Sequence, residues 1–458
     1  MYNSAHSYYF SAYKVVKNNP DPSDIWPDTS TLYVSVYQGA DAWGALVARG
    51  IMHIQPADFA VQMTTMKVLN AENELQRLEA LTRFGKHFAG VLWDSYGSVF
   101  SKKQRFNPDA PLRKKRRLTA PAPQLEALQT EDGVDLRLSR YQAGTKGPVM
   151  LVHGLGVSSG IFSTDLIKTN LVEYLCSHGY DVWLLDFRAS IDLPAAQMQS
   201  NGDQVAKYDF PAAVERIRQR TGAESIQAVV HCWGASTFFM SLLAGLQGIR
   251  SVVCSQIAND VVVPLATQIK TGLHLPGVLN TLGVDSLNAY VDSHADWRER
   301  IWDKALSVNG LQQAQGSCNS AVCHRVTFNY ASLYKHEQLN DRLHDNLHEL
   351  FGEANISAFE HLAAICRAGY ITDADGEDIY RPHIERLNLP ICFIHGEDNE
   401  CYLPQSTEKT YQQLCQQFGE QQYSRHVISG YGHIDCIFGR DAVDDVYPLI
   451  VKHLDDSA

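Results

Sequence analysis

Two short runs near the start of the chain, TLYVSVY and GIMHIQ, alternate apolar and polar positions within residues 31–55 and predict a pair of strands around a Gly/Asp-rich middle. Pro56 then opens a stretch of helical spacing. Across residues 72–100, Leu75, Leu78, Leu81, Phe84, Phe88, Val91 and Leu92 recur every three or four positions, which predicts one or two amphipathic helices. Residues 101–123 break that rhythm: Pro108, Pro111, Pro121 and Pro123 surround the basic run Arg113, Lys114, Lys115, Arg116, Arg117, and the stretch reads as a solvated linker. From residue 124 the period changes again. A hairpin (126–130 and 136–141, turning at Asp132 and Gly133) precedes an apolar strand at 148–153, a helix at 170–177, a strand at 181–185 and a helix at 211–219. The strand SIQAVVH (225–231), a helix at 235–245 and a strand at 251–256 follow. Strands apolar on both faces, alternating with helices, imply a mostly parallel sheet covered on both sides.

The alternation stops near residue 260 and returns with strands at 390–395 and 425–429 and a last helix at 441–454. The expected organisation is therefore an N-terminal extension (1–123), a core in two pieces (124–260 and 388–458) and a helical cap (261–387) inserted between two strands of the sheet. Tyr330, Tyr334, Phe351 and Phe359 give that cap apolar content compatible with a greasy pocket.

The 458 residues carry a formal net charge of -12, which argues against nucleic acid as a partner. The first twenty residues mix polar and aromatic side chains, and no apolar run reaches the ~20 residues that span a bilayer, so a cytoplasmic protein is expected, with peripheral membrane contact left open. Most of the 10 cysteines stand singly inside apolar segments, as buried thiols do in a reducing compartment. Cys318, Cys323 and His324 (CNSAVCHR) lack a second ligand pair and read as structural, so no metal is expected. The glycines of residues 154–160 lack the acidic residue of a dinucleotide site some 20 positions on, and no cofactor is expected.

Cys232 ends the apolar strand 225–231 and is followed at once by Trp233, Gly234 and a helix. Such a sharp strand-to-helix turn exposes one side chain and aims the helix N-terminal amides at it, an environment expected to lower the thiol pKa. Val230 stands where the usual G-x-S-x-G box has its first glycine. Acyl-transfer chemistry also needs a base, a group that orients it and two amides for the oxyanion. His433, between Gly432 and the last helix, is the candidate base, and the amides of Trp233 and Leu155 are the candidate oxyanion donors. For the orienting group Asp398 is favoured because it supplies charge. Asn399, at the right spacing from Gly396, and Asp260 are the alternatives.

VHGLGVSSGIF, NLVEYLCSHGYDVWLLDFRAS and YGHIDCIFG together resemble the oxyanion loop, the following helix–strand unit and the histidine loop of the α/β-hydrolase superfamily, in its acid-lipase-like branch. The likeness spans residues 124–456, with the cap matching poorly. WPDTSTLYV, ADFAVQMTTMKV and HCWG resemble more closely the hydrolase-like region fused to glucose-methanol-choline oxidoreductases of the cholesterol-oxidase-like type, although the flavin-binding fingerprint is absent. A cysteine at this elbow also resembles the polyhydroxyalkanoate synthases. These resemblances imply an α/β-hydrolase fold and a nucleophile at Cys232, with the base at His433, oxyanion amides at Leu155 and Trp233 and the acid on the Asp398/Asn399 turn. The activity implied is hydrolysis of an ester or thioester of a hydrophobic acyl group. Transfer of that group from a thioester to an alcohol or amine, and ligand binding by a degenerate hydrolase fold, are the alternatives. A small hydrophobic acyl compound, an acyl thioester included, is the expected partner, with a redox enzyme as another.

Overall fold

The computed structural model describes residues 7–13, 31–40, 46–53, 113–264, 286–289 and 320–458, in two separate units. The first holds an antiparallel sheet of β1 (Tyr8–Tyr13), β2 (Thr31–Gln38) and β3 (Leu46–His53), with a bulge between Val36 and Tyr37. The two alternating runs form β2 and β3. β1 is an added strand that the mixed polar and aromatic sequence YYFSAY did not announce. The helices expected over 72–100 lie outside the described residues.

The second unit is built on eight strands: β4 (Gln124–Gln129), β5 (Asp135–Gln142), β6 (Pro148–Val152), β7 (Asp181–Asp186), β8 (Ile226–His231), β9 (Ile249–Ser255), β12 (Ile391–Gly396) and β13 (Tyr423–Ile428). Their spatial order is β13-β12-β9-β8-β6-β7-β5-β4. The β4–β5 and β5–β7 pairs are antiparallel, and every other pair is parallel. All residues of β6, β7, β8 and β12 are buried, which is why they read as unbroken apolar runs. Helices α1 (Leu171–Ser177), α2 (Phe210–Thr221), α3 (Trp233–Ala244), α7 (Gln405–Phe418) and α8 (Tyr447–Asp456) connect or follow the strands.

The basic run is not a solvated connector at two of its residues. The Arg113 guanidinium donates to both carboxylate oxygens of Asp165 at 2.7 and 2.6 Å, and Arg116 forms a two-bond fork with Glu173 at 2.7 Å on each arm. Glu173 also closes the capping box of α1 with Asn170. Burial alone would raise its carboxyl, but Arg116 and the Thr119 and Asn170 amides bring it down to about 2. One carboxylate therefore fixes both the start of a core helix and the chain that enters the core.

Between β9 and β12 the described residues form α4 (Ala321–Tyr330), α5 (Asp341–Asp345) and α6 (Ile356–Ala368), with a two-strand ladder of β10 (Ser286–Asn288) and β11 (Glu353–Asn355). This insertion is tied to two loops at the carboxyl edge of the sheet. The Leu333 carbonyl accepts from the His433 and Ile434 amides at 2.9 and 2.8 Å, and the Gly352 amide donates to the Gly156 carbonyl at 3.0 Å. Among the described residues no helix is long and apolar enough to cross a membrane.

Candidate active site

From Ile226 to Met240 every residue is buried except Cys232. The strand delivers it and the helix carries the chain away, so the turn between them has φ 55° and ψ -128° at Cys232. That conformation is uncommon outside glycine and is held here by the packed strand and helix on either side. Among the described residues the other non-glycine positions with positive φ are Gln256 and Ala331, at 79° and 94°. Gln256 directly follows β9, and Ala331 directly follows Tyr330 of the insertion. Backbone strain is thus concentrated around one place.

The loop after β6 runs against the cysteine. A Cβ on Gly154 would lie 2.8 Å from Cys232 Cβ and 3.2 Å from its sulfur, so only glycine permits this approach. The main-chain amides of Leu155 and Trp233 both act on the sulfur and pull its pKa down. The thiol pKa nevertheless goes the other way from the lowering expected of the elbow. Burial pushes it up to about 12, and the two amides offset only part of the rise. Loss of solvent around the sulfur outweighs the pull of the helix terminus.

His433 stands in the loop after β13 and is buried. One ring nitrogen each of His433 and His231 and the sulfur of Cys232 lie within 4.8 Å of one another. Burial, reinforced by the His231 and His395 rings, holds the His433 imidazole far below its ordinary pKa, so it is neutral at pH 7. Its Nδ1 is 3.0 Å from Asn399 Nδ2, and its Nε2 has no hydrogen-bond partner among the described residues.

Asn399, not Asp398, orients the imidazole. The Asp398 carboxylate is exposed and sits 3.3 Å from Lys335 Nζ, because the turn after β12 directs residue 398 outward and residue 399 inward. The Asp260 carboxylate is engaged elsewhere, accepting from Thr410 Oγ1 at 2.8 Å. Asp435, two residues beyond the base, anchors the loop by accepting from the Gly432 and Lys335 amides at 3.0 and 2.9 Å.

The Asn399 amide has its orientation set from both ends. Its Oδ1 accepts from the Cys401 and Tyr402 amides at 2.9 and 3.0 Å. Its Nδ2 donates to Gln256 Oε1 at 3.0 Å, and that oxygen also accepts from the Gly396 amide at 3.0 Å. Nδ2 is also 3.3 Å from His395 Nε2, but that nitrogen lies 3.0 Å from the Tyr402 carbonyl and donates to it, so the second Nδ2 proton goes to His433 Nδ1 at 3.0 Å, which accepts it. A neutral imidazole that accepts at Nδ1 carries its proton on Nε2. In the resting site His433 therefore presents an N–H, not a lone pair, from its free nitrogen.

Three further side chains complete the site. Tyr330 lies over the oxyanion loop, where a Cβ on Gly156 (φ 72°) would meet its hydroxyl oxygen at a distance no real contact allows. That hydroxyl is buried with no hydrogen-bond partner among the described residues, and burial and the nearby Cys232 and Cys401 push it well above the ordinary phenol range. The Tyr402 ring centroid is 5.6 Å from that of His433. Gln256 could have been noticed as a polar residue closing an apolar strand. Tyr330 is one of many cap aromatics, with no local signal to set it apart.

Among the described residues two groups have metal-ligating donor sets: His231, Cys232 and His433 at the elbow, and Cys323, His336 and His344 in the insertion. At the elbow His231 Nδ1 is already 3.1 Å from Ser255 Oγ, while its Nε2 is free among the described residues.

A family model described as alpha/beta hydrolase fold matches residues 147–282. The chain is 32% identical to mouse (Mus musculus) gastric triacylglycerol lipase over 167 residues, covering 31% of this chain and 41% of the relative. It is 33% identical to human (Homo sapiens) lysosomal acid lipase/cholesteryl ester hydrolase over 131 residues, covering 25% of this chain and 33% of that protein. These matches span less than half the length of either relative. A solved carboxyl esterase from Bacillus coagulans superposes with a TM-score of 0.49 at 14% identity, covering 73% of this chain and 99% of the esterase. With its mostly parallel sheet, its elbow and this family match, the chain has the α/β-hydrolase fold, and part of it is similar to acid lipases.

Proposed function

We propose that this protein hydrolyses an ester or thioester of a hydrophobic acyl group through an S-acyl enzyme on Cys232. The observation that carries the reading is the elbow: one half-buried cysteine in an otherwise buried stretch, held at positive φ, with two main-chain amides acting on its sulfur. The sulfur attacks the carbonyl carbon as its proton passes to His433 Nε2, and the Leu155 and Trp233 amides hold the oxygen as it becomes an oxyanion. Collapse of the tetrahedral adduct breaks the bond to the alcohol or thiol, which leaves with the proton from His433. Water then adds to the S-acyl carbonyl, giving its proton to the same nitrogen, and release of the acid restores the thiol.

Each base step requires the imidazole with its proton on Nδ1, whereas Asn399 favours the opposite tautomer. Water is activated poorly under that constraint, and an S-acyl enzyme that waits suits a better nucleophile. The same Asn399 contact thus favours, as a second reading, transfer of the acyl group to an alcohol or amine. The partial similarity to acid lipases makes long-chain lipid esters the first class to try.

Incubation with activated esters of graded chain length and with the matching acyl-CoA thioesters, followed by mass measurement of the Cys232 peptide, tests the reading. An added acyl mass that disappears in Cys232→Ala, with free acid or acylated acceptor accumulating, supports it. Turnover undiminished in Cys232→Ala, or neither adduct nor product across the series, overturns it.

A further inference from the structure

Away from the elbow, the insertion brings together three side chains that the acyl chemistry does not use. Cys323 on α4 is buried, and its sulfur lies 3.2 Å from His344 Nε2 and 3.9 Å from His336 Nε2. All three donor atoms lie within 4.8 Å of one another. We propose that Cys323, His336 and His344 form a binding site for a zinc-class divalent ion, separate from the acyl site.

The spacing is that of a coordination sphere. A tetrahedral zinc ion with Zn–S about 2.3 Å and Zn–N about 2.05 Å places sulfur and nitrogen about 3.5 Å apart. The two observed separations, 3.2 and 3.9 Å, fall on either side of that value. One thiolate and two imidazoles are a donor set for zinc rather than for magnesium or calcium, which take oxygen ligands. Tyr334 stands in the outer shell, its hydroxyl donating to the Cys323 sulfur at 3.0 Å, an arrangement that supports a thiolate. The other ring nitrogen of His344 faces Asp345 Oδ1 at 3.8 Å, as the second nitrogen of a metal-bound imidazole commonly faces a carboxylate. In the sequence these ligands stand thirteen and then eight positions apart, and CNSAVCHR suggested only its own two cysteines and histidine.

The site is placed to act as a brace. Tyr334 lies between Leu333, whose carbonyl holds the His433 and Ile434 amides, and Lys335, whose amide donates to Asp435 in the same loop. An ion joining Cys323, before this strap, to His336 and His344, after it, would fix the strap and, through it, the loop that carries His433.

The experiment uses the full chain, stripped with a chelator and titrated with Co2+ as a spectroscopic stand-in for zinc. One equivalent should bind with a thiolate-to-cobalt charge-transfer band and the visible bands of a tetrahedral site. Metal analysis after zinc reconstitution should give one ion per chain, with a raised Tm. Cys323→Ala and the milder His336→Ala, on a part-exposed residue, should weaken binding by more than the about 10- to 100-fold that loss of an outer-shell partner costs. Cys232→Ala should leave the chromophore in place. Absence of a thiolate–cobalt band in the unmodified chain overturns the proposal whatever the variants do. A band that survives both insertion variants, or that vanishes in Cys232→Ala, also overturns it by assigning the ion to the elbow.

Discussion

Replacing Asn399 by Asp tests the proton arrangement at the acyl site most directly. In the present site the productive tautomer of His433 breaks the Asn399 Nδ2–His433 Nδ1 hydrogen bond of 3.0 Å and turns two N–H groups toward each other. Leaving a buried donor unsatisfied costs about 1–3 kcal/mol, which at 1.36 kcal/mol per factor of ten slows each base step by roughly 5- to 160-fold. A carboxylate at 399 keeps the Cys401 and Tyr402 amides satisfied and accepts from Nδ1–H. It leaves the Nε2 lone pair facing Cys232 and gives the imidazolium a counter-charge. Hydrolytic kcat/KM in Asn399→Asp should therefore rise by that factor.

A pH profile gives an independent readout of the same substitution. Neutral His433 is the active form, and its pKa is held far below 6.5, so the acid limb of the unmodified protein lies well below that value. The new carboxylate stabilises the charged form and moves the limb upward. Stability should move the other way, because Gln256 Oε1, which now accepts from Asn399, would face a carboxylate oxygen. Steady-state kinetics from pH 4 to 9 with a soluble activated ester, together with Tm, reads all three effects. A fall in kcat/KM with the acid limb unmoved, in a folded variant, would refute the assignment of Nδ1 as acceptor.

Four other outcomes follow from the same geometry. Cys232→Ser, which asks more of the base than a thiol does, should lose at least about a hundredfold in kcat/KM and regain much of it when combined with Asn399→Asp, a coupling that a double-mutant cycle measures. Alkylation of Cys232 by iodoacetamide should stay slow at pH 7 and accelerate toward a pKa near 12, the value set by burial; a midpoint near that of a free thiol would contradict it. Tyr330→Phe should raise stability by about 1 kcal/mol by removing a buried hydroxyl that lacks a partner, while lowering kcat/KM if that hydroxyl meets the acyl carbonyl; chemical denaturation and kinetics separate the two. His395 is held at about 4 by burial, so its share of stability is complete above 6.5 and is lost as pH falls toward 4. The difference in unfolding free energy between the parent and His395→Gln should change by up to about 1.4 kcal/mol per pH unit across that window.

Strands buried on both faces can be read from sequence because nothing polar interrupts them, and β6, β7, β8 and β12 were legible for that reason. The positions of Cys232 and Leu155 followed, since each stands just past the end of such a strand, whereas His433 follows the less buried β13 and was marked by its flanking glycines. The thiol pKa did not follow, because a helix terminus can be located in sequence whereas the depth of burial depends on packing from distant segments. Tyr330, His336 and His344 belong to an insertion whose pairing with the core depends on contacts such as those of Leu333 and Gly352, which no local pattern encodes.

The orienting residue shows how chemistry and spacing can point apart. Charge favoured Asp398, while spacing from Gly396 favoured Asn399. The structure decides through the two main-chain amides that capture the Asn399 Oδ1 and turn the side chain inward. An aspartate would cap those amides equally well, so the turn alone does not explain an amide there. Gln256 does. Its Oε1 is held in place by the Gly396 amide and needs a donor opposite, which Asn399 supplies and aspartate cannot. Positions 256 and 399 are therefore one matched pair, and the polarity of the hydrogen bond to His433 is set by a side chain at the end of β9 that itself makes no contact with the sulfur's proton path.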